Sequence, residues 1–375
     1  MELTGTPFVV LTAVLAIVAF AVAVWAMPRL AGSRPRLLAR IVALALVNAL
    51  VVLAGVVYLN ASNGWYASWG DLLGTEARQE TAAVGDAAQA AAAPTAAAAT
   101  TTAPPVELPP LPSPGQRKQV YTYTGRASGM TGQIEVILPA SYETAQAKDR
   151  RYPVVEAFHG FPGTPSGWTS KMQAQQSFDA AIAAGAVGEV ILVAPTITAT
   201  ATVDSECVNG PSGTPQIETW IAQDVPRFIR EHFRVKPARD SWVAMGYSVG
   251  AYCATMMGVH HNDTFGAIVA LGGSVRPDFS TGAPWPAGSP LAARYDLLAQ
   301  IRTQPPPVAM YLQVGKQSPF WPELSAFLAA IRPPTSMTST VLLDSGHRWD
   351  LWQAEMPKVA AWLGSRIPGF KPGTG

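Results

Sequence analysis

The chain has 375 residues, 49% of them hydrophobic, and its 26 lysines and arginines balance 25 aspartates and glutamates. Without a basic excess it lacks the means to neutralise a phosphate backbone, so nucleic acid is not an expected partner. Much of the apolar excess lies in the first sixty residues, which leaves 118–375 as one globular domain of ordinary composition, long enough to bury a full core.

Residues 7–27 form an apolar run without a charge, about the 20 residues a helix needs to cross a bilayer. A second run, 37–59, is broken only by Arg40 and Asn48. Arg29, Arg34 and Arg36 lie between the two runs, and Glu2 is the only charge before the first. The positive-inside rule keeps that basic turn cytoplasmic and sends both ends of the hairpin outward. A cleaved signal peptide would begin with a positive stretch, which is absent here. Residues 1–60 therefore read as a transmembrane hairpin in the cell membrane, with the rest of the chain on the extracytoplasmic side.

Residues 61–117 read as a juxtamembrane segment followed by a linker. Trp65, Tyr66 and Trp69 suit a membrane interface. The stretch 81–115 is alanine, threonine and proline, too poor in large apolar side chains to fold, and is expected to be an extended stalk.

From 118 onward, short β-branched runs alternate with helical stretches, the pattern of a mostly parallel sheet flanked by helices. Strands are predicted at 119–123, 133–138, 152–158, 189–193, 241–247, 266–271, 308–314 and 339–343, the first two as an antiparallel edge. Helices are predicted at 218–232, 251–259 and 321–331. In such a sheet the chemistry gathers at the C-terminal ends of the strands.

The strand at 241–247 runs into Gly246-Tyr247-Ser248-Val249-Gly250 and then a helix, the setting of a nucleophile elbow. A serine hydroxyl needs a base. His347, the last of five histidines, closes the final strand, and serine before histidine is the chain order of an α/β-hydrolase. The strand at 152–158 ends in His159-Gly160-Phe161-Pro162-Gly163, a loop placed to supply an oxyanion amide. We assign the oxyanion hole to the backbone N–H groups of Phe161 and Val249, where loss of one donor costs about 3 kcal/mol. His159 is read as shaping its loop. His260 and His261 are adjacent, which is not the i, i+4 spacing of helical metal ligands, and a loop or helix-end role is expected. No cofactor or metal is expected. Cys207 and Cys253, the only cysteines, fit a disulfide better than a metal site.

Several blocks together resemble a known family. They are His159-Gly160-Phe161, Asp204-Ser205-Glu206-Cys207, Glu218-Thr219-Trp220 with Asp224-Val225-Pro226, the serine elbow with Cys253 behind it, and Gly346-His347. Over 119–369 the chain resembles the putative esterase family that contains esterase D and the antigen 85 mycolyltransferases, most closely its membrane-anchored actinobacterial members. The resemblance implies an α/β-hydrolase fold acting on acyl esters, and a Cys207–Cys253 disulfide that sets the Asp204 loop beside the helix behind the nucleophile.

Members of the family carry an aspartate shortly after the strand corresponding to 308–314. Here the stretch reads Gly315-Lys316-Gln317-Ser318-Pro319-Phe320, with Ser318 in the place of the acid. Glu323, one helical turn on, and Asp278, after the preceding strand, are the substitutes, and Glu323 is favoured. The expected function is a membrane-anchored serine esterase or acyltransferase acting on small-molecule or lipid acyl esters. The alternative is an inactive domain of the same fold that binds envelope glycolipid or a partner protein. The sequence leaves the oligomeric state open.

Overall fold

A computed structural model describes residues 3–30, 32–74, 78–94 and 108–373. The chain divides into two compact units: residues 1–79 with 315–321 and 341–347, and residues 80–314 with 322–340 and 348–375.

In the first unit, helices Thr6–Ala26 and Arg34–Asn63 are both long and apolar enough to cross a membrane. Their large side chains point outward, Ile17 at 67% and Leu38 at 62% exposure, which leaves an apolar surface uncovered. The second helix ends at Gly64, whose left-handed φ of 63° suits a helix stop. Asn60 binds the chain just beyond it: its Nδ2 donates to the Tyr66 carbonyl at 2.9 Å, and its Oδ1 accepts from the Tyr66 N–H at 2.8 Å. The loops 315–321 and 341–347 are laced together by Lys316 N–H to Leu342 O at 2.7 Å and Gln317 N–H to Ser345 O at 3.1 Å.

The second unit is built on a nine-stranded mixed sheet. Its strands are β1 (Gln79–Val84), β2 (Lys118–Thr124), β3 (Thr131–Ile137), β4 (Val154–Phe158), β5 (Ile191–Pro195), β6 (Trp242–Tyr247), β7 (Ala267–Leu271), β8 (Ala309–Gly315) and β9 (Ser336–Leu342). The order across the sheet is β1-β9-β8-β7-β6-β4-β5-β3-β2. β2 pairs with β3 and β3 with β5 antiparallel, whereas β4, β5, β6, β7 and β8 pair in parallel, as expected from the sequence. Every residue of β4 to β8 is buried, which explains why these strands read, Glu156 and Gln313 apart, as apolar runs without alternation. The predicted helices appear as Val249–His260, Trp321–Ala330 and a composite from Ile217 to His232. The composite contains a wide turn over Trp220–Asp224, just before Pro226, which has no N–H to continue the ladder.

The expected stalk is corrected at both ends. Its start forms β1 and the helix Ala87–Ala92, with Ala90 and Ala91 in the core. Alanine is the best helix former, and Asp86 caps the first turn by accepting from Ala88 N–H at 2.8 Å and Gln89 N–H at 3.2 Å. The far end is held by Arg239, whose Nη1 donates to the carbonyls of Ala90, Ala91 and Ala93 at 3.1, 2.7 and 3.0 Å. The end of the predicted linker also meets the domain: Ser113 N–H donates to Gln119 Oε1 at 2.9 Å. Residues 95–107 of the linker lie outside the described residues.

Candidate active site

Ser248 stands between β6 and the helix Val249–His260 with φ 56° and ψ −125°, a conformation that costs a non-glycine residue about 1–3 kcal/mol and marks a functional turn. A Cβ on Gly246 would fall 1.8 Å from the Gly250 carbonyl oxygen, so the turn closes only with glycine there. Ser248 N–H donates to Leu271 O at 3.1 Å, which fastens the elbow to β7. Val249 opens the helix, so its N–H has no intrahelical acceptor and points toward the serine end.

Register brings the second loop alongside. Phe158 pairs with Gly246, so the residues that follow β4 and β6 emerge side by side. At Gly160 a Cβ would sit 3.1 Å from the Ser248 Cβ, a measure of how closely the His159–Phe161 loop lies against the nucleophile. His159 is fully buried, and burial lowers its pKa to about 4, so the ring is neutral. Its Nδ1 lies 2.8 Å from the Gly160 carbonyl oxygen, an acceptor, so Nδ1 carries the proton. His159 thus fixes the loop carbonyl, the shaping role expected from the sequence.

Behind the nucleophile, Cys207 and Cys253 form a disulfide with Cα atoms 5.6 Å apart. The loop it anchors is further tied by Asp204, which accepts from Ser280 N–H at 3.1 Å and Ser280 Oγ at 2.7 Å. Glu206, 1% exposed, accepts from the Asp278 N–H. Burial first, then the neighbouring Asp204, Asp278 and Glu323, push its pKa far above the carboxylate range. Glu323 itself is half-buried: its Oε1 accepts from Val275 N–H and its Oε2 from Arg276 Nη1, both at 3.3 Å. Burial raises its pKa against those two donors.

The histidine pair has a structural partner that sequence reasoning did not find. Glu218 is buried and accepts from His260 Nδ1 at 3.1 Å, His261 Nε2 at 2.8 Å, Arg294 Nη2 at 2.7 Å and Tyr295 OH at 2.6 Å. Burial alone would raise the Glu218 pKa, but the hydrogen bonds from His260, His261 and Tyr295 outweigh it and hold the group below the usual carboxylate range. Only the Glu218-Thr219-Trp220 block hinted at this hub.

His347 belongs to the first unit. Its backbone N–H donates to Gly64 O at 2.7 Å, and the Phe320 ring meets its imidazole edge-on with centroids 5.3 Å apart. Burial lowers its pKa to about 4, so it is neutral at pH 7, the state in which a base accepts a proton. Ser318, where the sequence expects the missing acid, is buried and accepts from Phe320 N–H at 3.3 Å.

Comparison with known proteins agrees with this architecture. Residues 127–363 match the family model described as putative esterase. An uncharacterized protein of Corynebacterium glutamicum is 28% identical over 129 residues, covering 34% of this chain and 30% of that protein. Among solved structures, a ferulic acid esterase superposes with TM-score 0.55 at 21% identity, over 67% of this chain and 98% of its own. An S-formylglutathione hydrolase from Agrobacterium tumefaciens gives TM-score 0.55 at 17% identity, over 67% and 95%. A fluorophosphonate-binding serine hydrolase of Staphylococcus aureus gives 0.53 at 16%, over 66% and 97%. The match extends over more than half of the chain, and the chain belongs to the putative esterase family, with an α/β-hydrolase fold.

Proposed function

We propose that the protein is a membrane-anchored serine esterase or acyltransferase whose catalytic domain works on the extracytoplasmic side. The observation that carries this reading is the strained Ser248 at the head of its helix with the His159–Phe161 loop packed against it. Ser248 Oγ attacks the ester carbonyl while His347 takes the hydroxyl proton. The N–H groups of Phe161 and Val249 hold the tetrahedral oxyanion. As the intermediate collapses, the carbon–oxygen bond to the leaving alcohol breaks, and His347 returns the proton to that alcohol. The acyl-enzyme on Ser248 is then cleaved by water in a hydrolase, or by an acceptor alcohol in a transferase, with His347 again the base. We assign Glu323 as the acid that orients His347.

The two apolar helices support the anchor, and the basic turn at Arg29, Arg34 and Arg36 supports an exterior catalytic domain. The disulfide fits an oxidising compartment. A second reading, a binding domain without turnover, draws on one observation: Ser318 occupies the place of the acid. Fluorophosphonate labelling of the full chain in detergent, with Ser248→Ala beside it, separates the two. Labelling lost in the variant supports the enzyme, and a folded chain that never labels supports the binder.

A further inference from the structure

We propose that the segment from Gly64 to Asp71, which leaves the second apolar helix, is a positioning element of the active site that holds the loop bearing His347. The inference rests on the esterase reading above and adds to it a role for the end of the anchor.

The loop is gripped residue by residue. The Gly64 carbonyl, one residue past the helix, accepts from His347 N–H at 2.7 Å. A Cβ on Gly346 would fall 1.8 Å from that same Gly64 oxygen, so glycine at 346 lets the carbonyl come so close. Asp71 Oδ1 accepts from Ser345 Oγ at 3.1 Å. Arg78 extends the grip: its guanidinium makes paired bonds to Asp344 at 2.9 and 3.1 Å, and its carbonyl accepts from Leu343 N–H at 2.8 Å.

The gripping segment is itself fixed. Asp71 Oδ2 accepts from Ala67 N–H at 2.9 Å, and Asp71 N–H donates to Ser68 Oγ at 3.0 Å. Asn60 holds Tyr66 through both its backbone groups. The loop 343–347, between β9 and the last long helix, has little rigidity of its own and gains order from a segment that the apolar helix supports. A misplacement of about 1 Å costs on the order of 100-fold in rate, so a base on a loosened loop works poorly even when the fold survives. The anchor thereby becomes part of the catalytic apparatus.

The test uses the full chain in detergent micelles and a p-nitrophenyl ester, with kcat, KM and fluorophosphonate labelling rate measured for wild type, Asp71→Ala, Asp71→Asn, Ser345→Ala and the double alanine variant. Asp71→Ala is expected to lower kcat and the labelling rate about tenfold or more with KM nearly unchanged. Asp71→Asn, which keeps an acceptor, restores most of the loss. The double variant is no worse than Asp71→Ala, because the Asp71–Ser345 bond is already lost in Asp71→Ala. If Asp71→Ala fails to fold, Ser345→Ala reads the same bond from the other side. A labelled wild type with alanine variants of equal kcat, or losses that Asn does not repair and that add in the double variant, overturns the positioning role and leaves the esterase standing. A folded wild type that does not label overturns both.

Discussion

Cys207 and Cys253 tie the loop after β5 to the helix that begins one residue beyond Ser248, with their Cα atoms 5.6 Å apart and both side chains fully buried. The bridge closes a span of 46 residues. Chain-entropy arithmetic assigns such a loop about 4 kcal/mol of stabilisation, and Cys207→Ser or a strong reductant is expected to lower the melting temperature of the catalytic domain accordingly. Melting curves with and without reductant check this. Coincident curves would mean that the bridge does not stabilise the fold.

Arg239 carries a separate part of the architecture, the closure of the alanine-rich helix Ala87–Ala92. Arg239→Met leaves three carbonyls of that segment without their donor, and a loss of about 3 kcal/mol is expected. Protection of amides 88–93 from hydrogen exchange should fall before that of β6 or β7. Uniform protection in the variant would mean that Arg239 does not hold the helix closed.

Glu218 gives the fold an acid-sensitive point. Its folded pKa lies below the ordinary carboxylate value of about 4.3, so the unfolded chain binds the proton more readily. The stability it contributes is complete above that unfolded value and is lost as pH falls below it toward the depressed folded pKa. Denaturant midpoints of wild type should therefore drop below about pH 4. Glu218→Gln should lose about 3 kcal/mol at pH 7 and show a shallower acid slope. Parallel pH profiles for the two proteins would exclude the hub as the source.

As the proposed base, His347 is expected to set the acid limb of catalysis. A base works only when neutral, and burial lowers its pKa to about 4. The rate constant kcat/KM is expected to stay flat as pH falls through 6.5, the ordinary histidine value, and to decline only near pH 4. A limb at 6.5 would mean that the imidazole is solvated during turnover.

Glu323→Gln tests the third member of the proposed triad. Removing an orienting acid lowers kcat by up to about 10⁴-fold while leaving residual catalysis, and the loss should fall on kcat more than on KM. Asp278→Asn serves as the comparison. A wild-type rate in Glu323→Gln with a large loss in Asp278→Asn would move the acid to Asp278.

The legible parts of this protein were those written in local patterns. All eight predicted strands exist; the five central ones were legible as buried, mostly apolar runs of a parallel sheet, and the elbow was legible because its backbone demands glycine at Gly246. β1 was missed because Gln79–Val84 is an exposed edge strand with alanines where an apolar alternation would be. The helix Ala87–Ala92 reads as linker in the sequence because its composition is low in complexity and its closing residue, Arg239, lies about 150 positions away in the chain. Distance in sequence hid the rest as well. Nothing near His347 announces Gly64 or Asp71, and nothing near His260 announces Glu218, because those contacts are made only once the sheet and the helix ends are in place. The triad acid stayed undetermined for the same reason: its family position holds Ser318, and any substitute must be chosen by tertiary geometry.

The most direct test is fluorophosphonate labelling of the full chain in detergent with mass-spectrometric mapping of the modified residue. The proposed mechanism requires a single adduct on Ser248, absent from Ser248→Ala and much slower in His347→Ala. A folded wild-type chain that remains unmodified, or an adduct at another serine that persists in Ser248→Ala, would contradict it.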